Sequence, residues 1–375
     1  MWDQLPELIL TQIFDYLDRT DRASVSQVCQ SWNRTLSSPV LWRSVTVLID
    51  RDLRGDFPLA GELAAKYGQH MRSLELAFSR PYISPRQIRI RRNIQAEAGA
   101  DFLAIVRAKD VQLRQLTLTN WVFGYKWGNR GILLSALANF LRYLRLLGRF
   151  HALTLLKLDY PALSNDALDA LASGASKTLK YLYISVRDSD SRQHMVADAA
   201  WRNLVLACPD LTVSYTIVNI SHYEDMCYLL LPSVPLAKFH MFSGHVWDQS
   251  RSRNFRNTIG LIITQYTNTL VEVMLQLRNN RESLDDLLVS MLIRCKRLTR
   301  LQYDGIIRSL ETLREICQLQ AERKTHFRTI HVKPRNVNIQ NRAILNDINY
   351  RYDRKMHEQG VDFRIEDITS ILFFY

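Results

Sequence analysis

The chain has 375 residues, of which 47% are hydrophobic and 23% are charged. This composition supplies enough apolar material for one or two buried cores, and it excludes an intrinsically disordered chain. Lysine and arginine outnumber aspartate and glutamate by 49 to 37, and the resulting net charge of +12 favours acidic or phosphorylated partners.

The sequence shows no pattern typical of a signal peptide, a membrane span, a disulfide framework or a zinc site. The first residues lack a basic stretch followed by an apolar run, and no later segment is apolar for long enough to cross a bilayer. The five cysteines are scattered, without the close spacing of a disulfide framework or a zinc site. We therefore expect a cytoplasmic and/or nuclear protein that is not inserted in a membrane and needs no cofactor.

The first predicted element is a short amphipathic helix over residues 7–17. Leu10, Ile13, Phe14 and Leu17 recur at helical spacing, and Pro6 stands where proline is compatible with a helix entry.

A second helix is predicted to begin at a cap formed by Thr20 or Asp21. Its apolar stripe comprises Val25, Val28, Cys29 and Trp32. A helical unit of this size buries little surface by itself, so we expect some of its apolar residues to face outward toward a partner or a neighbouring domain.

Beyond this unit the apolar residues recur as L-x-x-L-x-L, which is typical of leucine-rich repeats. Eight segments match the pattern, and a ninth, Leu211-Val213-Tyr215-Ile217, keeps only the strand alternation. The eight are Met71-Leu74-Leu76, Leu113-Leu116-Leu118, Leu153-Leu156-Leu158, Leu179-Leu182-Ile184, Leu236-Phe239-Met241, Leu270-Val273-Leu275, Leu298-Leu301-Tyr303 and Phe327-Ile330-Val332.

Helical stretches lie between these strands, so the sequence predicts an α/β fold in which each strand and helix pair packs on its neighbours. The expected architecture is a curved solenoid with parallel strands inside and helices outside, following an N-terminal three-helix unit. The alternative is a doubly wound α/β domain, which usually carries a glycine-rich phosphate loop that this sequence lacks.

The first 46 residues resemble the F-box family. The resemblance rests on residues in the family's order and spacing: Leu5-Pro6, Ile9, Leu10, Ile13, Phe14, Tyr16, Leu17, Val28-Cys29, Trp32 and Pro39-Val40-Leu41-Trp42. It implies a three-helix domain over residues 1–46 that binds the adaptor Skp1, which is joined in turn to a cullin and a RING subunit. Two positions, Leu8 and Arg22, depart from the family pattern. By the resemblance, the residues that contact Skp1 are Leu5, Pro6, Ile9, Leu10, Ile13 and Phe14.

Residues 47–375 resemble the repeats of leucine-rich-repeat F-box proteins, especially the subgroup around F-box only protein 39. This likeness rests on residues 279–285 leading to Cys295, on the tryptophan-bearing segment around Trp127 and on the aromatic carboxyl end. It implies that the repeats recognise a protein substrate and that the chain has no catalytic residues of its own.

Two segments are candidate substrate contacts, each with an alternative explanation. The aromatic segment carries Trp121, Phe123, Tyr125 and Trp127, which either anchor an interface or cover the edge of the core. The basic segment carries Arg86, Arg89, Arg91 and Arg92, which either bind acid groups or form a solvated loop.

An amphipathic stretch carrying Ile344, Ile348, Tyr352 and Met356 precedes the aromatic end, and together they are expected to cap the last repeat or to shape a substrate site. The nine histidines form no metal spacing, and no catalytic motif stands out.

The sequence thus predicts the substrate-recognition subunit of an SCF (Skp1–cullin–F-box) ubiquitin ligase, without membrane or small-molecule partners. A non-ligase Skp1-binding adaptor and a basic nucleic-acid-binding repeat protein remain the alternatives.

Overall fold

The computed structural model describes residues 5–48, 59–77, 99–108, 113–119, 134–139, 153–173, 178–188, 195–220, 222–243, 254–335 and 337–366. The chain divides into two compact units. The first unit comprises Met1–Leu158 and Ala162–Leu179, and the second comprises Asp159–Pro161 and Lys180–Tyr375.

The N-terminal helices of the first unit are α1 (Glu7–Asp15), α2 (Arg19–Val25) and α3 (Gln30–Leu36), followed by a 3-10 turn at Pro39–Trp42. Helix α1 begins directly after Pro6, as predicted. The Asp18 carboxylate caps α2 by accepting a hydrogen bond from the Asp21 amide at 2.8 Å. The predicted caps, Thr20 and Asp21, lie inside α2, so that prediction was wrong.

The predicted second helix is in fact two helices. Helix α2 ends at Val25, and α3 begins only after Cys29, whose backbone is extended. The amides of Gln27 and Val28 bond three residues back, to Ser24 and Val25, in a tight turn that ends the helix. Serine, valine and cysteine have low helix propensity, so residues 26–29 form a turn in place of a continuous helix where tertiary packing requires one.

A small hydrophobic core holds the three helices and the 3-10 turn together. It consists of Leu10, Phe14, Leu36 and Leu41, all of which are buried. The Trp32 ring meets Phe14 edge to face, with ring centroids 5.5 Å apart. Further apolar side chains that are only partly buried complete the cluster: Leu5, Leu17, Val25, Trp32 and Trp42.

The repeat part of the first unit contains parallel strands that pair in sequence order. They are β1 (Ser44–Leu48), β2 (Ser73–Ala77), β3 (Gln115–Thr119) and β4 (Leu155–Asp159). Helices α4 (Leu59–Tyr67) and α5 (Asn165–Ala172) belong to this unit, and residues 99–108 and 134–139 are also helical. The Trp42 ring stacks on Tyr67 of α4 at 4.8 Å, which joins the N-terminal helices to the first repeat.

The second unit also alternates parallel strands with helices, and more of its residues are described. Its strands are β5 (Tyr181–Arg187), β6 (Thr212–Val218), β7 (Leu236–Phe242), β8 (Glu272–Gln276), β9 (Arg300–Gly305), β10 (Thr329–Pro334) and β11 (Asp362–Ile365). Each is parallel to the next in sequence order. Its helices are α6 (Asp198–Ala207), α7 (Tyr223–Leu229), α8 (Phe255–Gln265), α9 (Asp285–Arg294), α10 (Leu310–Ala321) and α11 (Ile339–Glu358).

Alternation along the strands explains why the leucine pattern predicts them. In β9, Leu301 and Tyr303 are buried while Arg300, Gln302 and Asp304 are not. All nine sequence-predicted strands are present, and the α/β repeat architecture after an N-terminal helical domain is confirmed. Strands β1 and β11 were not predicted. Strand β1 begins at Ser44, inside the segment assigned to the F-box, and the predicted boundary at residue 46 stays a prediction.

A buried asparagine ties two neighbouring turns of the second unit together. The Asn279 side chain is 2% exposed, and its Nδ2 donates to the carbonyls of Glu282 at 3.1 Å and Ile306 at 2.9 Å. Its Oδ1 accepts from the Ile306 amide at 2.8 Å. One side chain thus satisfies backbone groups on two consecutive repeats, as buried polar groups require.

The predicted amphipathic stretch near the carboxyl end is helix α11. Its buried residues are Leu345, Ile348 and Met356, whereas Ile344 is 37% exposed. The helix packs on α10 and leads into β11, so it belongs to the last described repeat. The tail after residue 366 lies outside the described residues.

Candidate functional site

Helix α1 presents an apolar face to the surface beside the stripe that it buries. Ile9 and Ile13 are each 40% exposed, and Tyr16 just after the helix is 92% exposed. These three residues recur at intervals of four and three, so they share one side of the helix. Leu10 and Phe14 lie on the adjoining side, in the core.

Further exposed apolar residues occur nearby in sequence: Leu8 in α1, Val28 in the turn after α2 and Val40 in the 3-10 turn. Six of the fourteen exposed large apolar side chains in the described residues fall between residues 8 and 40. That concentration in a small domain is the expected sign of a surface that a partner covers.

The predicted Skp1 contacts separate into surface and interior residues. Pro6, Ile9 and Ile13 are exposed, and Leu5 is half-buried against the helical core. Leu10 and Phe14 are only 1% and 2% exposed. Their inclusion as contact residues needs correction, because both side chains fill the core and present no surface to a partner. A single amphipathic stripe in the sequence does not say where the core ends and the free surface begins.

Arg22, a departure from the family pattern, joins two parts of the helical domain. Its Nε donates to the Phe14 carbonyl at 3.1 Å, Nη2 to the Asp15 carbonyl at 3.3 Å and Nη1 to the Leu41 carbonyl at 2.5 Å. The guanidinium also lies 5.8 Å from the centroid of the Trp42 ring. Burial lowers the pKa of Arg22, against the opposing influence of the Asp15 and Asp18 carboxylates.

This arginine sits where a cation is favourable, at the C-terminal end of α1, whose last carbonyls have no partner within the helix. Leucine at this position would offer apolar surface but no donors to those carbonyls. Arg22 therefore stabilises the helical domain by linking α1 to the 3-10 turn. Leu8, the other departure from the family pattern, is 69% exposed and does not contribute to the core.

The candidate substrate contacts lie outside the described residues. They are the aromatic residues Trp121, Phe123, Tyr125 and Trp127 and the basic residues Arg86, Arg89, Arg91 and Arg92. They stay predictions, as does the aromatic tail at residues 371–375.

A charged cluster on the strands of the second unit was not predicted from the sequence. Glu272 of β8 contacts Lys238 at 3.0 Å, His240 at 3.0 Å and Arg300 at 3.6 Å, and its side chain is 9% exposed. Burial alone would raise the pKa of Glu272, but the hydrogen bond and charge of Lys238, together with His240 and Arg300, lower it. Strand register brings these residues together across β7, β8 and β9, which a linear motif does not show.

Metal-ligand groups and reactive thiols are the two chemical features that the described residues could offer. None of their histidine, cysteine and acidic side chains form a group of three that could hold a metal ion. Burial raises the pKa of the Cys295 thiol to about 11 and that of Cys317 to about 12, so both thiols stay protonated at neutral pH. In that same part of the chain, every helix is too short or too polar to traverse a bilayer.

Comparison with known proteins identifies the helical domain. Residues 2–47 match the F-box-like family. F-box/LRR-repeat protein 21 of Bos taurus is 22% identical over 370 residues, which covers 87% of this chain and 82% of that protein. F-box/LRR-repeat protein 12 of Mus musculus is 42% identical over 45 residues, or 12% of this chain and 14% of that protein.

Among solved structures, a chain from "Crystal structure of Rad7 and Elc1 complex in yeast" is 12% identical, with a TM-score of 0.28. That alignment covers 89% of this chain and 88% of the other, and the score is too low to support an argument about the fold.

An F-box-like helical domain followed by parallel strand–helix repeats defines the class of protein. The chain is homologous to F-box/LRR-repeat proteins, and residues 2–47 are its F-box-like domain. Its assignment to the subgroup around F-box only protein 39 stays a prediction.

Proposed function

We propose that this chain is the substrate-recognition subunit of an SCF ubiquitin ligase, with the F-box-like domain binding Skp1 and the repeats binding a target protein. The exposed apolar face of α1 carries the proposal, because Ile9 and Ile13 lie on the surface of a domain that matches the F-box-like family. Covering a half-exposed isoleucine contributes on the order of 1 kcal/mol.

The Skp1 contact is assigned to residues that the described structure leaves accessible. They are Pro6, Ile9 and Ile13 from the predicted set, extended to Leu8 and Tyr16 on the same helix and its end. Leu10 and Phe14 support this surface from beneath by fixing α1 against α3 and the 3-10 turn. Leu5 contributes mainly to that support, since it is half-buried against the core.

In this proposal the chain contributes geometry rather than catalysis. A receptor that holds a target lysine near a ubiquitin-loaded enzyme turns a rare encounter into an effectively intramolecular one. Cullin and RING subunits are joined through Skp1, and the setting is cytoplasmic or nuclear. The repeats are suited to substrate binding because their strands bury alternate residues and leave polar side chains such as Gln302 and Asp304 of β9 on the other face.

Co-expression of the full chain with Skp1, followed by size-exclusion chromatography, tests the first step. We expect one complex that contains both chains, and addition of a cullin–RING assembly to yield a larger complex. Co-elution with Skp1 but without the cullin would favour the non-ligase adaptor. Separate elution of the chain and Skp1 would contradict the proposal.

A further inference from the structure

Two neighbouring turns of the second unit expose a dense group of cations. From the last residue of α9 to the first residue of β9 the sequence is Arg294-Cys295-Lys296-Arg297-Leu298-Thr299-Arg300, and the turn between α10 and β10 contains Arg323-Lys324 and Arg328. All of the basic side chains are exposed, whereas Cys295, Leu298 and Phe327 between them are buried. We call this surface the basic edge, comprising Arg294, Lys296, Arg297, Arg300, Arg323, Lys324 and Arg328.

Backbone hydrogen bonds hold the two turns side by side. The Arg328 amide donates to the Thr299 carbonyl at 2.7 Å, and the Thr329 amide donates to the same oxygen at 3.2 Å. Adjacent strands lie about 4.8 Å apart, so cations from both turns share one small area. The fold therefore concentrates charges that are up to 34 positions apart in the sequence, Arg294 to Arg328.

Few carboxylates neutralise this charge. Lys324 contacts Glu322 at 2.7 Å, and Arg300 contacts Glu272 at 3.6 Å. Among the described residues, no carboxylate lies within ion-pair distance of the other five cations of the basic edge. Like charges held this close repel one another, and a bound anion would relieve that repulsion.

The basic edge is bounded on both sides. The turn before β8, residues 266–271, contains no charged residue, and the turn before β11 lies between two carboxylates, Glu358 at the end of α11 and Asp362 at the start of β11. The cations thus span only two repeats, which suits a short anionic segment and not a long nucleic-acid backbone that needs an extended cationic path. An extended peptide carries a side chain every 3.3–3.6 Å or so, which allows several acidic groups to reach an area of this size.

We propose that the basic edge binds a short segment of a partner protein that is rich in aspartate and glutamate. Five of the seven cations are arginines, whose planar guanidinium groups donate two parallel hydrogen bonds to one carboxylate. As the class of substrate for the repeats, this partner rests on the proposed receptor function. The binding itself requires no Skp1.

A fluorescein-labelled peptide of alternating aspartate and glutamate, titrated with the full chain, tests the proposal by fluorescence anisotropy. We expect the double variant R297Q/R328Q to bind about tenfold more weakly than the unsubstituted chain, and binding to weaken as salt rises. The matched control is R281Q/R308Q. It removes two exposed arginines that follow β8 and β9, whereas the basic edge precedes β9 and β10, so the affinity should be unchanged.

Three results would overturn the proposal: equal affinity in R297Q/R328Q, tighter binding of a labelled duplex DNA than of the acidic peptide, or binding that appears only with a multiply phosphorylated serine peptide. The double variant I9D/I13D separates this proposal from the receptor function. It should lose Skp1 while keeping the acidic peptide, and R297Q/R328Q should show the reverse.

Discussion

The Arg22 guanidinium donates a hydrogen bond to the Leu41 carbonyl at 2.5 Å, across nineteen positions of sequence. Through its other nitrogens it holds the carbonyls of Phe14 and Asp15 at the end of α1. The helix that presents the proposed Skp1 surface is therefore fixed to the 3-10 turn by a side chain that is only 13% exposed.

Replacing Arg22 with alanine should destabilise the F-box-like domain by about 2–3 kcal/mol, because the Phe14, Asp15 and Leu41 carbonyls lose charge-assisted donors. Hydrogen exchange measured by mass spectrometry should then accelerate in α1 and the 3-10 turn. The control is R34A, which removes an exposed arginine of α3 and should leave exchange unchanged. Equal protection in R22A and the unsubstituted chain would show that these hydrogen bonds contribute little.

The Asn279 side chain predicts a sharp difference between two adjacent asparagines. N279A should cost about 2–4 kcal/mol, since the Ile306 amide loses its acceptor and the Ile306 carbonyl keeps only the Tyr303 hydroxyl as a donor. N280A should cost less than about 0.5 kcal/mol, because the Asn280 side chain is exposed. Urea unfolding followed by circular dichroism measures both, and similar midpoints for the two variants would contradict this role of Asn279.

Two glycines of the second unit should respond in opposite directions to alanine. At Gly305 a Cβ would lie 2.7 Å from the Tyr303 hydroxyl oxygen and 3.0 Å from Asn279 Oδ1, so G305A should destabilise by about 1–3 kcal/mol. At Gly260, inside α8, a Cβ meets no atom within 4 Å, and G260A should stabilise by about 0.5–1 kcal/mol. Thermal melting of both variants checks the signs, and a melting temperature of G305A at or above that of G260A would refute the packing account.

His240 predicts a pH dependence of stability. Burial lowers its pKa below the usual 6.5, despite the adjacent Glu272 carboxylate and with further lowering from Lys238 and Arg300. As pH falls through 6.5, the unfolded state therefore takes up a proton more readily than the folded state, and the free energy of unfolding decreases.

The variant H240Q keeps a hydrogen-bond donor for Glu272 but does not titrate. Between pH 7.5 and 5.5 it should lose less stability in urea than the unsubstituted chain does. Parallel losses in the two proteins would indicate that His240 does not contribute to the pH dependence.

Most of the fold was predictable because leucine, isoleucine and valine alternate along the strands. In β9, for example, Leu301 and Tyr303 are buried while the residues beside them in the strand are less buried, and this alternation is visible in the sequence alone. Strand β11 has only Phe363 buried in the strand, and β1 adjoins the helical domain, so neither shows the full motif. The break between α2 and α3 depends on tertiary packing and local propensity together.

The candidate site was predictable in location but not in detail. The sequence placed it on α1, yet Leu10 and Ile13 look alike in an amphipathic pattern, and only the position of α3 and the 3-10 turn shows that Leu10 is interior. The basic edge was missed because its charges come from two separated turns. Register between β9 and β10 brings them together, and register is a property of the folded chain.

The affinity of the full chain for Skp1, measured by isothermal titration calorimetry, tests the central claim most directly. The double variant I9D/I13D should bind at least tenfold more weakly, about 1.4 kcal/mol or more, while its far-ultraviolet circular dichroism is unchanged. The matched control I293D/I339D alters two exposed isoleucines on α9 and α11 and should bind as the unsubstituted chain does. Undiminished binding of I9D/I13D would contradict the assignment of the exposed face of α1 as the Skp1 surface.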